Sequence, residues 1–266
     1  MQNTSVALKA ENIHFGYDKT EVLHGLSFEI NEGDFLFLLG PNGSGKTTLF
    51  KCLLGLYRPS QGSVTVGGED IHSMSPSALA KKIAYIPQAH HPSFNYTVLE
   101  AVTMGRTAYI KHNSSPSAED TALALAALEK LGISYLKDKG YAHISGGERQ
   151  LVLIARALAQ QSRILVMDEP TSSLDYGHQV KVLSVVKQLA EEGYTVVISS
   201  HNPEHAFLFG SKVLMMKSGT LVAMGDPHST LTQELLQNIY EVPMDLLTVR
   251  RSEQDERDYK VCVPVL

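Results

Sequence analysis

A continuous apolar run, Phe35–Leu39, leads directly into a glycine-rich segment with the pattern G-x-x-x-x-G-K-[ST]. Such a run is typical of a β-strand buried on both faces, and the apolar residues after the segment indicate the start of a helix. A glycine-rich turn between a strand and a helix favours a phosphate-binding loop, because its backbone N–H groups can surround an anion. The alternative is an ordinary turn with a solvated lysine. The loop residues are Gly40, Pro41, Asn42, Gly43, Ser44, Gly45, Lys46, Thr47 and Thr48.

Two side chains of this loop are predicted to act on a nucleotide. Lys46 would reach the β- and γ-phosphates, and the Thr47 hydroxyl would bind Mg²⁺. The loop therefore predicts a nucleoside triphosphate and Mg²⁺ as ligands.

The composition excludes several classes of protein. The 266 residues carry a net charge of −5, so no strongly basic character favours a nucleic-acid partner. Cys52 and Cys262 are far apart, which disfavours a structural disulfide and fits a reducing cytosol. The N-terminus lacks the features of a signal peptide, and no apolar run approaches the roughly 20 residues that cross a bilayer. Action at a membrane would therefore require docking to another protein.

The order of predicted elements indicates the fold class. Residues 6–11 and 26–30 alternate as half-buried strands do, whereas later apolar runs predict buried strands. Strands that alternate with helices imply a mostly parallel sheet. We therefore expect an α/β fold: a phosphate-loop NTPase core with an N-terminal antiparallel β portion, plus an inserted α-helical subdomain. Helices are predicted at residues 120–131, 147–159 and 176–192.

The same pattern predicts the domain boundaries. Residues 1–266 are expected to form a single nucleotide-binding domain. Its α/β core would comprise residues 1–88 and 162–225, and residues 89–161 would form the helical insertion. Residues 226–266 would add a C-terminal helix at 229–241 and a β-hairpin with strands at 246–250 and 259–263.

Two adjacent carboxylates, Asp168 and Glu169, follow the predicted buried strand at residues 164–167. Strand ends are where an open α/β sheet places its ligand-binding residues. Asp168 would hold the hydration shell of Mg²⁺, and Glu169 would polarise the attacking water as general base. Alternatively, the pair would only cap a helix that begins at Pro170.

The segment Ser145-Gly146-Gly147 opens the predicted helix at 147–159. Ser145 with Glu148 three residues later has the pattern of a capping box. Two glycines at a helix start cost helix propensity, and they are useful where N–H groups must approach an anion closely. The structural and the anion-binding interpretations are compatible.

These motifs, in this order, resemble those of the ATP-binding-cassette (ABC) ATPases. The resemblance covers residues 6–225 and includes Gln88 after a strand, the sequence Ser173-Leu174-Asp175, His201 after a later strand, and Tyr17. A kinase or GTPase could share the phosphate loop but not this combination.

The resemblance implies a role for each of these positions. Tyr17 would stack on adenine, and Gln88 would ligate Mg²⁺ or the water. His201 would contact the γ-phosphate. Asp175 would link two active sites across a homodimer. The γ-phosphate of an ATP held by one subunit would be contacted by Ser145, Gly146 and Gly147 of the other.

Two positions depart from the commonest family pattern. Ile144 stands where Leu is usual, which keeps an apolar side chain. Glu148 stands where Gln is usual, which places a carboxylate near a polyanion and could pair with a nearby cation.

Residues 94–106 resemble the ATPases of importers for ferric siderophores, haem and cobalamin. This resemblance implies polytopic permease subunits, an extracytoplasmic binding protein, and a peripheral location on the cytoplasmic face of the inner membrane. The segment would also suit an ordinary amphipathic helix. The alternatives are a soluble ABC ATPase acting on nucleic acid or ribosomes, and an exporter ATPase. No nucleic acid is expected as a partner.

Overall fold

The computed structural model describes residues 5–88, 96–111, 114–252 and 255–265. Its strands are β1 (Val6–Tyr17), β2 (Thr20–Asn31), β3 (Phe35–Leu39), β4 (Gln61–Val66), β5 (Glu69–Asp70), β6 (Ile83–Ile86), β7 (Ile164–Met167), β8 (Thr195–Ser200), β9 (Lys212–Lys217), β10 (Thr220–Gly225), β11 (Met244–Ser252) and β12 (Asp255–Pro264). Its α-helices are α1 (Lys46–Leu53), α2 (Pro76–Ala80), α3 (Val98–Thr103), α4 (Ala118–Lys130), α5 (Gly146–Ala159), α6 (Tyr176–Glu191), α7 (Pro203–Phe209), α8 (Pro227–Thr230) and α9 (Gln233–Tyr240).

The first compact unit combines residues 1–70 with residues 197–266. One of its sheets is antiparallel, in the order β2-β1-β4-β5, and another runs β10-β9-β3-β8. Strand β3 is parallel to β9, with Phe37 opposite Val213. All five residues of β3 are buried, as expected for an apolar run covered on both faces.

The second compact unit comprises residues 71–196. Its strands β6 and β7 pair in parallel, and helices α3, α4 and α5 pack against one another. This unit extends beyond residues 89–161, the range predicted for the helical insertion, and it includes strands β6 and β7. Within the described part of the chain, no helix is long and apolar enough to cross a membrane.

The C-terminal region differs in one respect from the helix predicted at residues 229–241. Two short helices, α8 and α9, occupy this region, and Leu231 between them has non-helical backbone angles. Thr232 starts α9 by accepting a hydrogen bond from the Leu235 N–H at 3.2 Å. The antiparallel hairpin β11–β12 follows, and the Cys262 N–H donates to Glu204 on α7 at 3.1 Å.

A buried polar cluster around Arg106 links helices of the second unit. The guanidinium donates to Asp120 Oδ1 at 3.0 Å, to the Ala159 carbonyl at 2.9 Å and to Gln161 Oε1 at 2.8 Å. Only 5% of Arg106 is exposed. Hydrogen bonds from Ser117 and then from Arg106 lower the pKa of Asp120 to about 2. Arg106 therefore satisfies acceptors on two segments, the first turn of α4 and the C-terminal end of α5.

We expect Arg106→Met to lower the free energy of unfolding by roughly 3 kcal/mol, because it leaves buried acceptors without their charged donor. Urea unfolding of the purified variant measures this loss. The control is Lys130→Ala, which removes the half-exposed ion pair with Glu192 and should cost less than about 1 kcal/mol. Equal losses in the two variants would contradict the structural role of Arg106.

His205 on α7 is a buried titratable group in the first unit. It is 8% exposed, and its Nε2 lies 3.4 Å from Asn202 Nδ2. Burial and, to a smaller degree, the neighbouring His201 lower the pKa of His205. The folded protein therefore favours the neutral imidazole.

The protein should lose stability as the pH falls below about 6.5, where the unfolded chain protonates His205 and the folded chain resists protonation. His205→Gln should lose less stability between about pH 7 and pH 5 than the parent. Urea midpoints across this range measure the difference. The exposed His24→Gln variant serves as the control, and an unchanged slope in His205→Gln would refute the prediction.

Candidate functional site

The predicted site residues fall into three groups. The loop group comprises Tyr17, residues 40–48 and His201, all in the first unit. The carboxylate group comprises Gln88, Asp168 and Glu169 in the second unit. The glycine-helix group, also in the second unit, comprises Ser145, Gly146, Gly147 and Asp175.

The phosphate loop has the backbone that its glycines predict. Gly43 and Gly45 have φ values of 79° and 98°, in the left-handed region that favours glycine. A Cβ on Gly40 would lie 2.3 Å from the Met216 carbonyl oxygen, so only glycine fits there. Helix α1 begins at Lys46, immediately after the turn. Backbone N–H groups and a helix N-terminus are thereby placed together, as an anion requires.

Polar groups inside the loop fit a phosphate ligand. The buried Lys46 Nζ donates to the carbonyl oxygens of Gly40 at 2.7 Å and Pro41 at 3.0 Å. The buried Ser44 Oγ has no hydrogen-bond partner among the described residues. A buried ammonium and an unsatisfied hydroxyl beside a helix N-terminus can both donate to phosphate oxygens.

Tyr17 belongs to an aromatic cluster beside helix α1. Its ring is 44% exposed, makes edge contacts with Phe15 and Tyr57, and its hydroxyl lies 3.5 Å from Thr48 Oγ1. Phe15 and Tyr57 are stacked with ring centroids 4.9 Å apart. Hydrogen bonds from Tyr17 and Lys51 lower the pKa of Tyr57. The cluster supports Tyr17, which is still exposed enough to contact a planar ring.

The sequence did not identify Tyr57, because it follows helix α1 without a recognisable motif. His201, by contrast, lies where the sequence predicts it, directly after β8. Its side chain is exposed, and β8 is the neighbour of β3, the strand that leads into the phosphate loop.

The carboxylate group is assembled by two parallel strands. Gln88 follows β6 and Asp168 follows β7, and Ile86 lies opposite Met167 in the register. The carboxyl ends of parallel neighbours meet at one sheet edge. Gln88 Nε2 donates to Ser172 Oγ at 2.8 Å. Ser172 Oγ in turn donates to the Glu169 carbonyl at 3.1 Å, which connects Gln88 to the backbone of Glu169.

Tyr85 supports Asp168 and was not identified from the sequence. Burial raises the pKa of Tyr85 to about 12, and the charge and hydrogen bond of Asp168 add to this shift. Asp168 is itself only 9% exposed. Since Tyr85 lies in β6, opposite Val166 in β7, the contact follows from strand register rather than from a motif.

Glu169 has a left-handed backbone, with φ of 44°. Non-glycine residues adopt this conformation rarely, and such strain is concentrated at functional sites. No helix begins at Pro170: a turn follows, and α6 starts only at Tyr176 with Asp175 as its cap. The alternative role of Asp168 and Glu169 as helix caps is therefore wrong.

The glycine-helix group begins with the predicted capping box. Ser145 accepts from the Glu148 N–H at 3.2 Å, and Glu148 accepts from the Ser145 N–H at 2.9 Å. Tyr135 also donates to Glu148 at 3.2 Å. The Ser145 N–H is the main cause of the lowered pKa of Glu148, and the nearby Lys139 contributes least. The unusual carboxylate thus serves the cap itself.

Asp175 caps α6 and contacts His178, which the sequence did not single out. Asp175 accepts from the His178 N–H at 3.0 Å, and its Oδ2 lies 2.7 Å from His178 Nδ1. These bonds lower the pKa of Asp175. The structure therefore connects Asp175 to the start of its own helix.

The side chains predicted to bind Mg²⁺ have suitable chemistry when each unit is considered by itself. The exposed Thr47 hydroxyl, the Gln88 amide oxygen and the Asp168 carboxylate are oxygen ligands, which Mg²⁺ prefers. Among the described residues, no cluster of three or more His, Cys, Asp or Glu could hold a metal alone. Mg²⁺ is usually bound by a small number of protein oxygens, and phosphates of the substrate complete its coordination.

Comparison with known proteins gives consistent relatives. A protein of Haemophilus influenzae described as an uncharacterized ABC transporter ATP-binding protein is 42% identical, over 90% of this chain and 91% of its own length. A probable iron chelatin transport ATP-binding protein of Helicobacter pylori is 35% identical, over 91% and 96%. The molybdate import ATP-binding protein of H. influenzae is 36% identical, over 90% and 89%.

A solved structure shares the fold over nearly the whole length. It is an inward-facing metal-chelate type ABC transporter, with a TM-score of 0.87, 34% identity and coverage of 98% of both chains. This confirms the predicted α/β phosphate-loop architecture. The sequence profile of the ABC transporter family matches residues 23–172, more than half of the chain. The chain is therefore an ATPase and belongs to the ABC transporter family.

Proposed function

We propose that this chain is the ATP-hydrolysing subunit of an ABC importer that takes up a metal chelate of the ferric siderophore, haem or cobalamin type. The observation that carries the proposal is a groove of about 800 Å³ in the second unit, lined in part by the same segment that resembles the chelate importers. A relative named for iron chelatin transport and a solved structure of a metal-chelate type ABC transporter support the same cargo class. The molybdate relative extends the candidate cargo to oxyanions.

The groove suits a helix of a permease. Its lining combines apolar and polar side chains, and Met104 is 41% exposed there. Helix α3 is held by a capping box between Thr97 and Glu100, so the apolar wall is fixed before a partner arrives. The segment named from the sequence includes residues 94 and 95, which lie outside the described residues. The groove is lined by Tyr96, Leu99, Glu100, Thr103, Met104, Thr107, Ile110, Lys111, Ser114, Pro116 and Thr121.

The proposed catalytic roles follow from the chemistry of each group. Residues 40–48 bind the triphosphate, with Lys46 neutralising the β- and γ-phosphates. Thr47, Gln88 and Asp168 would hold Mg²⁺, which would supply positive charge to offset the negative charge developing on the phosphates. Glu169 accepts a proton from the attacking water, and His201 contacts the γ-phosphate. Tyr17 stacks on adenine.

The glycine-helix group completes the site of a second copy in this proposal. A homodimer holds two ATP molecules, each between the phosphate loop of one subunit and Ser145, Gly146 and Gly147 of the other. Asp175 links the two sites. ATP binding closes the dimer and hydrolysis opens it, which drives the permease. The complex would be peripheral on the cytoplasmic face of the inner membrane, with an extracytoplasmic binding protein delivering cargo.

We expect Glu169→Gln to bind ATP with unchanged affinity while its turnover falls at least about 100-fold, because the amide cannot accept the water's proton. The variant should form a stable dimer with ATP. Steady-state hydrolysis and size-exclusion light scattering measure the two effects. The control is Glu191→Gln at the exposed end of α6. A fully active Glu169→Gln protein would refute the general-base role.

The permease interaction is tested with Met104→Glu, which places a charge in the groove. Affinity purification of the tagged protein from solubilised native membranes should recover a polytopic permease with the parent and several-fold less with this variant. Val222→Glu, at an exposed apolar position on β10, is the matched control. Recovery of ribosomes or nucleic-acid proteins instead would favour the soluble ATPase, whereas recovery of a permease, with or without a binding protein, would support the importer.

A further inference from the structure

We propose that His178 is a positioning residue that holds the loop before α6, which contains Asp175, against the glycine-rich start of α5. The loop and the start of α5 would then approach a second subunit as one rigid element. The inference deepens the proposed function and rests on it, because the dimer gives both elements their target. No motif in the sequence singled out His178.

The first half of the argument is the contact with Asp175. The His178 N–H donates to Asp175 Oδ1 at 3.0 Å, while Nδ1 lies 2.7 Å from Oδ2. The backbone bond is a helix cap that any residue at position 178 would provide. The ring bond is specific to the side chain, and it fixes the second carboxylate oxygen.

The second half is the contact with Gly147. A Cβ built on Gly147 would lie 2.1 Å from His178 Cδ2 and 2.7 Å from Cγ. The imidazole therefore lies against the Gly147 backbone, and a side chain at position 147 would require the ring to move. On the neighbouring residue, a Cβ on Gly146 would approach Leu174 Cδ2 at 3.5 Å. The loop before α6 thus packs on the start of α5 at two successive glycines.

The solvent exposure of Asp175 explains why its contact with His178 is needed. The Asp175 side chain is 70% exposed, whereas that of His178 is 44% exposed. A carboxylate so open to solvent keeps one orientation only if both oxygens are held. A single imidazole in contact with two helix starts makes the loop and the glycine backbone move together. Preorganisation of this kind lowers the entropy cost of association.

The glycine contact can be tested without any dimer. Alanine normally stabilises a helix relative to glycine. With the ring in place, however, Gly147→Ala should lower Tm, because the new methyl group meets the imidazole. In the His178→Ala background the same substitution should leave Tm unchanged or raise it. An increase in Tm in both backgrounds would overturn the proposed packing.

The positioning role is tested in the Glu169→Gln background by two measurements. Analytical ultracentrifugation with ATP gives the dimer dissociation constant, and a fluorescent ATP analogue gives the nucleotide affinity of the monomer. His178→Ala should weaken dimerisation roughly tenfold, the loss expected for a hydrogen bond to a charged group. Monomer affinity should not change, since the substitution leaves the phosphate loop intact.

A conservative variant separates positioning from general stability. In His178→Asn, the side-chain amide nitrogen occupies the place of Nδ1 and can still donate to Asp175. It should recover most of the dimer affinity lost in His178→Ala. Lys181→Ala, at an exposed position on α6, is the matched control and should behave as the parent.

The outcomes distinguish two failures. If the Glu169→Gln parent stays monomeric with ATP, the dimer in the proposed function is wrong and this inference falls with it. If the parent dimerises and His178→Ala dimerises equally well, only the positioning role is overturned. A loss of monomer nucleotide affinity in His178→Ala would also contradict that role.

Discussion

The phosphate loop depends on backbone N–H groups that a glycine-rich turn and the N-terminus of α1 bring together. Each such N–H carries a cost unless an anion, a side chain or water accepts from it. Glycines allow the required turn, and the fully buried β3 holds its entry point in place. The Lys46 ammonium then cross-links the loop by donating to two of its own carbonyl oxygens. Binding a polyphosphate would let this lysine exchange internal acceptors for charged ones, so the loop is prepared for its ligand before binding.

In the second unit, strand register brings the candidate site residues together. Because β6 and β7 are parallel, the residues that follow them reach the same edge. Asp168 receives support from Tyr85 on the neighbouring strand, and Glu169 takes a strained backbone conformation. The capping boxes at α3 and α5 fix helix starts with local hydrogen bonds alone. In both units, local hydrogen bonds and strand pairing therefore position the candidate site residues before any ligand binds.

Sequence patterns identified the features that depend on neighbours in the chain. The glycine-rich loop, the capping box at Ser145 and the strand before Asp168 all follow from residue spacing, and the structure contains each of them. The contacts of Tyr57 with Phe15, of Tyr85 with Asp168 and of His178 with Gly147 depend on residues brought together by folding, so no local pattern marks them. The predicted helix at 229–241 failed for a different reason. Thr232 competes with the helix interior by capping a new helix, and the chain breaks at Leu231.

The first unit is built from two segments that are distant in the sequence. Phe35 donates its N–H to Ser211 Oγ across 176 residues, and β3 pairs with β9 over a similar separation. During synthesis, β3 therefore cannot pair with β9 until residues 71–196, which form the second unit, have left the ribosome. Such non-local pairing folds slowly, because the closure entropy comes before the contacts that offset it. An apolar strand that remains unpaired and exposed during this time is prone to aggregation. Early folding of residues 71–196, whose contacts lie within one continuous segment, would shorten the loop that β3 and β9 have to close.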